Sequence, residues 1–304
     1  MRKQFEYHLV DVFTSKQFGG NPLAVFPNAQ EIPGHFMQKI ANELNLSETT
    51  FILPPKSKDN DCKVRIFTPA VELPMAGHPT IGTAFVILEN ELFKPKNDKF
   101  LMFEEGVGPI KVYFKHLGDD SWEITMVQPL PLFTEIYENR DKIAQLLSLE
   151  TSALDHDLPI QIISCGVPFV YIPIKSMDDI KSAKVRLDLL DEYLGNYQSQ
   201  ALFLFTRETV NPSSTVHSRM FAPNLGVLED PATGSASGPL GAYLVKYGLS
   251  EGKNIISEQG FEIGRPSIIK IDIEIDNNNI SGVKVGGESV LVGKGKMFLN
   301  INEG

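Results

Sequence analysis

A ten-residue stretch of the chain, EDPATGSASG at residues 229–238, concentrates carboxylates, hydroxyls and glycines directly in front of an apolar run. The apolar run, at residues 240–245, predicts a helix that begins at the end of a loop. The first turn of a helix presents free backbone N–H groups and a partial positive charge, so it attracts anions. The stretch therefore predicts an anion-binding helix start, with an ordinary capped helix start as the alternative.

The first half of the chain carries a second copy of this arrangement. Residues 76–82, AGHPTIG, open another apolar run. Three further pairs of segments match in the same order: GNPLAVF at 20–26 with GVPFVYI at 166–172, SETTFIL at 47–53 with SQALFLF at 199–205, and RIFTP at 65–69 with RMFAP at 219–223. The separation grows from 146 residues between Gly20 and Gly166 to 157 residues between Gly77 and Gly234. Collinear matches with a slowly increasing separation predict a tandem duplication and hence two similar halves.

The hydrophobic pattern predicts many strands and few helices without regular βαβ alternation, which indicates an α+β fold. Helices are predicted at residues 33–45, 78–91, 177–184, 187–194 and 236–247. Strands are predicted at residues 5–13, 23–26, 47–53, 63–67, 100–104, 109–114, 122–127, 159–164, 169–174, 201–205, 215–221, 268–275, 281–286 and 289–300. The two helices that follow the glycine motifs are apolar, so strands are expected to wrap around each of them.

The segment QPLP at residues 128–131 interrupts this pattern and predicts the crossover between the halves. We therefore expect an N-terminal lobe of residues 1–128 and a C-terminal lobe of residues 129–288. A last strand at residues 289–304 is expected to return to the N-terminal lobe and complete it.

Composition and charge exclude several classes of protein. The formal net charge is −10, which disfavours binding to a nucleic-acid backbone. The sequence has neither an apolar stretch of about 18 residues nor a leader, so we expect a cytoplasmic protein with no membrane partner. Cys62 and Cys165 lack metal-ligand spacing and are expected to be free thiols. No nucleotide, flavin or pyridoxal motif is present, and neither a cofactor nor a metal is expected.

In combination, the motifs resemble those of the PhzF family, the phenazine-biosynthesis isomerases. The resemblance runs from about residue 5 to the end and rests on DVF at 11–13, GNPLAVF at 20–26, LSETTF at 46–51, RIFTP at 65–69, AGHPT at 76–80, RMFAP through EDPATGSA at 219–236, EQG at 258–260 and GRPS at 264–267. It implies a fold like diaminopimelate epimerase, with two pseudo-symmetric lobes, each a mainly antiparallel β-barrel around a central helix. It also implies a homodimer and a cofactor-independent isomerase whose small carboxylate-bearing substrate is similar to trans-2,3-dihydro-3-hydroxyanthranilate.

A duplicated fold is expected to bring the two helix starts to one cleft, where the backbone N–H groups at Gly77 and Gly234 would bind a substrate carboxylate. Glu48 is the candidate proton shuttle, and the resemblance implies the same role for it. Its partner in the repeat alignment is Gln200, a neutral isostere. A two-base racemase needs an acid–base group on each face, so the asymmetry favours a one-base isomerase; a solvated strand-edge carboxylate is the alternative for Glu48.

Five further polar residues are candidates for the site. His78 is a second acid–base group or an orienting hydrogen-bond partner, and the helix N-terminus is expected to lower its pKa. Asp230 and Ser235 are expected to contact the substrate or to tune the proton shuttle, with plain helix-cap roles as the alternative. The resemblance implies a supporting role for these three residues. Thr233 and Asn21 are candidates for substrate binding, although Asn21 also suits a turn.

The residues at the two motifs also bear on other functions. Cofactor-independent epimerases of this fold use a cysteine at each motif glycine, where this chain has His78 and Ser235, so a two-cysteine epimerase is rejected. A catalytically silent binding or scaffold protein on the same fold remains an alternative. An epimerase-like enzyme that acts on another small substrate is a further one.

Overall fold

The structure, a computed structural model, describes residues 2–118 and 121–300. The described chain divides into two compact units. Unit 1 comprises the described residues up to Val127 together with those from Gly286 onward, and unit 2 comprises Gln128–Val285. Within the described ranges, no helix combines the length and the apolar composition that crossing a membrane requires.

The described residues form eighteen strands and six α-helices. In chain order the strands are β1 (Arg2–Val12), β2 (Asn21–Phe26), β3 (Glu48–Leu53), β4 (Cys62–Phe67), β5 (Glu72–Leu73), β6 (Phe100–Glu105), β7 (Gly108–Gly118), β8 (Ser121–Gln128), β9 (Leu132–Ile136), β10 (Gln161–Ser164), β11 (Pro168–Pro173), β12 (Leu202–Thr206), β13 (Val216–Ala222), β14 (Val227–Asp230), β15 (Ile255–Gln259), β16 (Ser267–Asp276), β17 (Asn279–Gly287) and β18 (Ser289–Asn300). The helices are α1 (Gly34–Leu44), α2 (Gly77–Glu89), α3 (Arg140–Leu146), α4 (Met177–Ser182), α5 (Leu187–Leu194) and α6 (Gly234–Lys246). Two short 3₁₀ turns lie at Thr151–Ala153 and Pro223–Leu225.

Helix α2 forms the centre of unit 1. Its sequence, GHPTIGTAFVILE, is buried at every position from Gly77 to Leu88. A helix without a polar face must be covered on all sides, and α2 contacts β1, β2, β3, β7 and β18. Gly82 permits this close approach, because an added Cβ would lie 2.6 Å from Leu23 Cδ2 on β2. The expected strand wrap around the first motif helix is confirmed.

Helix α6 holds the corresponding place in unit 2. It is buried from Ala236 to Leu244 and contacts β10, β11 and β16. The Tyr171 hydroxyl on β11 donates a hydrogen bond of 2.6 Å to the Ala236 carbonyl oxygen, which fixes the helix against the strands. The second motif helix is therefore enclosed by strands, as the sequence predicts.

The strand pairing shows the duplication directly. In unit 1 the pairs β1–β2, β3–β4 and β6–β7 are antiparallel, while β2–β3 and β4–β6 are parallel. In unit 2 the pairs β10–β11, β12–β13 and β15–β16 are antiparallel, while β11–β12 and β13–β15 are parallel. Both units thus follow one alternation of antiparallel and parallel pairs, and the two mainly antiparallel, pseudo-symmetric halves are confirmed.

Several elements differ from the sequence-based expectation. The strands β5, β9, β14 and β15 and the helix α3 are not predicted, because each is short and owes its structure to neighbours elsewhere in the fold. Strand β14 shortens the predicted loop at 229–238, since Asp230 pairs with Met220 and only residues 231–233 separate this strand from α6. The predicted closing strand at 289–304 is observed to Asn300, and its residues 301–304 lie outside the described residues.

Candidate active site

A carboxylate and an imidazole meet at the start of α2 in unit 1. Glu48 is the first residue of β3, beside Leu23 in the parallel β2–β3 pair, and His78 is the second residue of α2. The His78 Nε2 atom lies 3.2 Å from Glu48 Oε2, and the two side chains are 5% and 15% exposed. Asn21 lies fully buried at the start of β2, two residues before Leu23. The fold thus brings together two of the predicted residues from distant parts of the sequence.

His78 is neutral at physiological pH. Burial lowers the pKa of its imidazole to about 3. The sequence predicts the direction of this shift from the helix N-terminus, but desolvation is the cause in the structure. Although Nε2 lies close to Glu48, the two groups are not aligned for a hydrogen bond, and Nε2 has no hydrogen-bond partner among the described residues. A neutral imidazole can donate or accept a hydrogen bond beside Glu48 without adding a charge.

Both motif helices begin without a side-chain cap from the residues that the structure describes. The N-cap of α2 is Ala76, which has no polar side chain. The N-cap of α6 is Thr233, whose hydroxyl instead donates a 2.6 Å hydrogen bond to Asp230 Oδ2. The N–H groups of a first helical turn lack partners within the helix, and Gly77 and Gly234 place no Cβ beside them. Each helix start therefore meets the requirements of an anion-binding site.

In unit 2, a buried hydrogen-bonded group fixes the loop that leads into α6. Gln259 donates through Nε2 to the Asp230 carbonyl oxygen at 2.7 Å and to Thr233 Oγ1 at 3.0 Å. Its Oε1 accepts a hydrogen bond from the Thr233 backbone N–H at 3.1 Å. Ser235 follows as the half-buried second residue of α6. Asp230 and Thr233 are therefore held rigidly beside the helix start at Gly234.

The strand register corrects the repeat alignment at Glu48. The pairs that define the register are Leu23↔Glu48 in unit 1 and Val170↔Leu202 in unit 2. Because the aligned segments make Phe169 the counterpart of Leu23, Glu48 corresponds to Ala201 and not to Gln200. The Gln200 side chain instead donates to Asp191 Oδ1 at 3.2 Å. Since alanine, like glutamine, cannot titrate, the asymmetry between the two units persists.

Glu105, a buried carboxyl group at the end of β6, is not among the residues predicted from the sequence. A signal for it exists, because EEG at residues 104–106 repeats EQG at residues 258–260. The separation of 154 residues equals that between the two RIFTP-like segments. The two segments are also equivalent in the fold, since β4–β6 and β13–β15 are the corresponding parallel pairs. Glu105 is therefore the counterpart of Gln259.

Comparisons with known proteins agree with this architecture. The sequence model of the PhzC-PhzF family, phenazine biosynthesis-like proteins, matches residues 10–295. Trans-2,3-dihydro-3-hydroxyanthranilate isomerase of Pseudomonas fluorescens is 34% identical over 294 residues, which cover 96% of this chain and 99% of that protein. An uncharacterized isomerase of Clostridium acetobutylicum is 35% identical over 99% of this chain and 100% of its own length.

Solved structures show the same fold. A PhzF-family phenazine biosynthesis protein from Bacillus anthracis superposes with a TM-score of 0.88 at 27% identity, covering 97% of this chain and 99% of that one. A hydroxyproline epimerase from Agrobacterium vitis shares the fold at 12% identity, with a TM-score of 0.67 over 99% of this chain and 94% of its own. With a family match over nearly its whole length and isomerases among its full-length relatives, the chain belongs to the PhzF family and is an isomerase.

Proposed function

We propose that this isomerase moves one proton between two carbons of a small carboxylate-bearing substrate, similar to trans-2,3-dihydro-3-hydroxyanthranilate, without a cofactor. The names of the relatives support this substrate class. The observation that carries the proposal is the placement of Glu48 beside a neutral His78, while Ala201 stands at the equivalent position of unit 2. A single titratable group at this position favours a one-base isomerisation over a two-base epimerisation.

In the proposed reaction, the Glu48 carboxylate removes a proton from a substrate carbon, and the electron pair of the broken C–H bond moves into the conjugated system of the substrate. The protonated Glu48 then gives the same proton to a second carbon on the same face, where a new C–H bond forms. The enzyme ends the cycle with its original charge. Negative charge that develops on the substrate between the two transfers is stabilised by oriented backbone N–H groups.

The other predicted residues take supporting roles in this proposal. The uncapped first turn at Gly77 supplies N–H donors for the substrate carboxylate, and the first turn at Gly234 is the equivalent anion-binding helix start of unit 2. His78 orients the substrate or Glu48 through its neutral imidazole. Asn21 binds the substrate in unit 1. In unit 2, Asp230 and Thr233 keep the helix start in place, and Ser235 adds a hydroxyl to this anion-binding start.

The proposal is tested by Glu48→Gln, which keeps the shape of the side chain and removes the titrating group. Turnover of trans-2,3-dihydro-3-hydroxyanthranilate should fall by about 10²–10⁴-fold. Binding of the product-like acid 3-hydroxyanthranilate should change little, because the helix starts are intact. Glu43→Gln, which changes an exposed carboxylate on α1 of the same unit, serves as the matched control and should retain wild-type turnover.

Isotope exchange separates the remaining outcomes. In D₂O, the product should carry solvent deuterium only to the extent that the Glu48 proton exchanges before it is delivered. Near-normal turnover by Glu48→Gln would refute the single-glutamate shuttle and make His78 the leading base. If the wild type isomerises other small acids but not this substrate, the proposed likeness to trans-2,3-dihydro-3-hydroxyanthranilate is wrong and the single-glutamate shuttle stands. If it neither isomerises nor exchanges protons of any of these acids, a silent binding protein is favoured.

A further inference from the structure

A carboxyl group that the proposed mechanism does not use lies buried behind the start of α2. Glu105 is 5% exposed, and its Oε1 lies 2.6 Å from the Thr80 hydroxyl in the first turns of the helix. The same hydroxyl lies 2.7 Å from the carbonyl oxygen of Ala76, the N-cap residue. Oε2 of Glu105 has no hydrogen-bond partner among the described residues.

A count of protons indicates the charge of this group. The Thr80 hydroxyl carries one proton, and the Ala76 carbonyl oxygen can only accept. This single proton cannot lie in both short contacts of the hydroxyl oxygen, at 2.6 Å to Glu105 and 2.7 Å to Ala76, so both can be hydrogen bonds only when the carboxyl group supplies a second proton. An ionised Glu105 would moreover leave a buried, charged Oε2 without a donor, which is costly. Both arguments indicate a neutral carboxylic acid.

In unit 2, the position equivalent to Glu105 is occupied by Gln259, whose side chain is always neutral. The glycine after Glu105, Gly106, approaches the connection into α2 so closely that an added Cβ would lie 2.7 Å from Pro74 Cα. In unit 2, an added Cβ at Gly260 would lie 2.5 Å from the carbonyl oxygen of Pro231, on the connection into α6. The side chain at this place in unit 2 is Gln259. Each unit therefore places a buried hydrogen-bonding side chain at the start of its central helix, Glu105 on Thr80 in unit 1 and Gln259 on Thr233 in unit 2.

We propose that Glu105 is a positioning residue whose neutral form leaves the positive end of α2 free for an anionic substrate, and whose ionised form weakens substrate binding. This inference rests on the proposed function, because it takes a carboxylate to bind at Gly77. A second negative charge behind the first turn would interact with the same partial positive charge and repel the substrate carboxylate. The neutral acid supports the first turn through Thr80 and causes no such repulsion.

The groups around Glu105 define the pH range of the effect. Burial raises the pKa of Glu105 to about 8. The charged and titratable groups that face it, some of them across a cavity of about 420 Å³, are Lys56, Cys62, Lys63, Arg65, Glu72 and Glu104. Burial raises the pKa of the Cys62 thiol, and the hydrogen bonds from Arg65 lower the pKa of Glu72. Since His78 stays neutral as well, ionisation of Glu105 is the expected change of charge at the start of α2 just above neutral pH.

The test measures the dissociation constant of 3-hydroxyanthranilate by calorimetry at neutral pH and well above pH 8. The wild type should bind about five- to thirtyfold more weakly at the alkaline pH. Glu105→Gln should bind normally at neutral pH and lose this dependence, because its amide cannot ionise. The matched control is Glu104→Gln, which removes a neighbouring carboxylate on the same strand and should keep the wild-type dependence. Comparing variants at each pH cancels any ionisation of the probe itself.

Infrared difference spectra give an independent readout that a purely structural role would not produce. At neutral pH, the wild type should show a protonated-carboxyl C=O band that Glu105→Gln lacks, and this band should disappear with the same midpoint as the loss of affinity. No band difference, or equal alkaline weakening in Glu105→Gln, would overturn the inference. If Glu105→Gln does not fold, the wild type alone decides: different midpoints for the loss of the infrared band and the loss of affinity would overturn the inference.

The outcome is separable from that of the proposed function. Glu48→Gln should retain the affinity for 3-hydroxyanthranilate and its dependence on pH, whatever its turnover. If the affinity of the wild type for 3-hydroxyanthranilate does not depend on pH, the role of Glu105 is refuted but the proposed function is not. Absence of binding by the wild type at every pH refutes both the role of Glu105 and the carboxylate-bearing substrate class.

Discussion

Replacing Glu105 by glutamine should make the stability of unit 1 less dependent on pH. Burial raises the pKa of Glu105 from 4.5 to about 8, so the folded state keeps a proton that the unfolded state releases. The free energy of unfolding of the wild type therefore falls as pH rises through this window, and the contribution of Glu105 is fully present only below the ordinary glutamate pKa. The slope is about 1.4 kcal/mol per pH unit, which amounts to roughly 5 kcal/mol across the window.

The chain offers a built-in probe for this experiment. Trp122, on β8, is the only tryptophan of the sequence and lies in unit 1. Urea unfolding followed by its fluorescence at several pH values should give a stability difference, Glu105→Gln minus wild type, that grows by about 1.4 kcal/mol per pH unit. Glu104→Gln should follow the wild type. Equal slopes for Glu105→Gln and the wild type would contradict a raised pKa at this position.

Two other substitutions test the packing of each unit. Arg219, 7% exposed, forms two 2.8 Å hydrogen bonds with Glu229, so Arg219→Met should cost about 3–5 kcal/mol by leaving a partly buried charge unpaired. Its counterpart in unit 1, Arg65, pairs with Glu72 at side-chain exposures of 25% and 44%. Arg65→Met should therefore lower the free energy of unfolding by at most about 1 kcal/mol, measured by urea unfolding followed by circular dichroism. Equal losses of stability in the two arginine variants would contradict the prediction. Gly82→Ala should destabilise unit 1 by about 1–3 kcal/mol, because the added methyl group would clash with β2. In an ordinary helix the same substitution stabilises by about 1 kcal/mol. A melting temperature above that of the wild type would contradict this prediction.

Much of the fold is predictable from the sequence for an identifiable reason. The two central helices follow glycine motifs and are apolar, so their position inside a strand wrap follows from burial alone. The strands that repeat between the halves have two copies in the sequence, so the hydrophobic pattern of one copy supports the weak pattern of the other. Strand β14 and helix α3 lack such support: they are short and depend on partners that only the folded chain supplies.

The candidate site is predictable to a smaller extent. The resemblance of the motifs singles out Glu48 and His78, but it does not give their 3.2 Å approach. The alignment of Glu48 with Gln200 is wrong by one residue, because the segment around Ala201 shares only a general apolar pattern with its counterpart. Glu105 is missed since its sequence context, two glutamates before a glycine, is typical of a solvated strand end. Its burial becomes evident only when β6 is placed beside β4.

The pairing of β18 with β1 has a consequence for how the chain folds during synthesis. The two strands pair from Arg2 opposite Asn300 to Val12 opposite Ser289, so unit 1 contains contacts that span almost the full length of the chain. Unit 2 is one continuous segment, and all of it is synthesised before β18. It can therefore fold first, which reverses the usual N-to-C order. Until β18 is synthesised, β1 lacks one of its neighbours and presents an open strand edge, which is a site of aggregation.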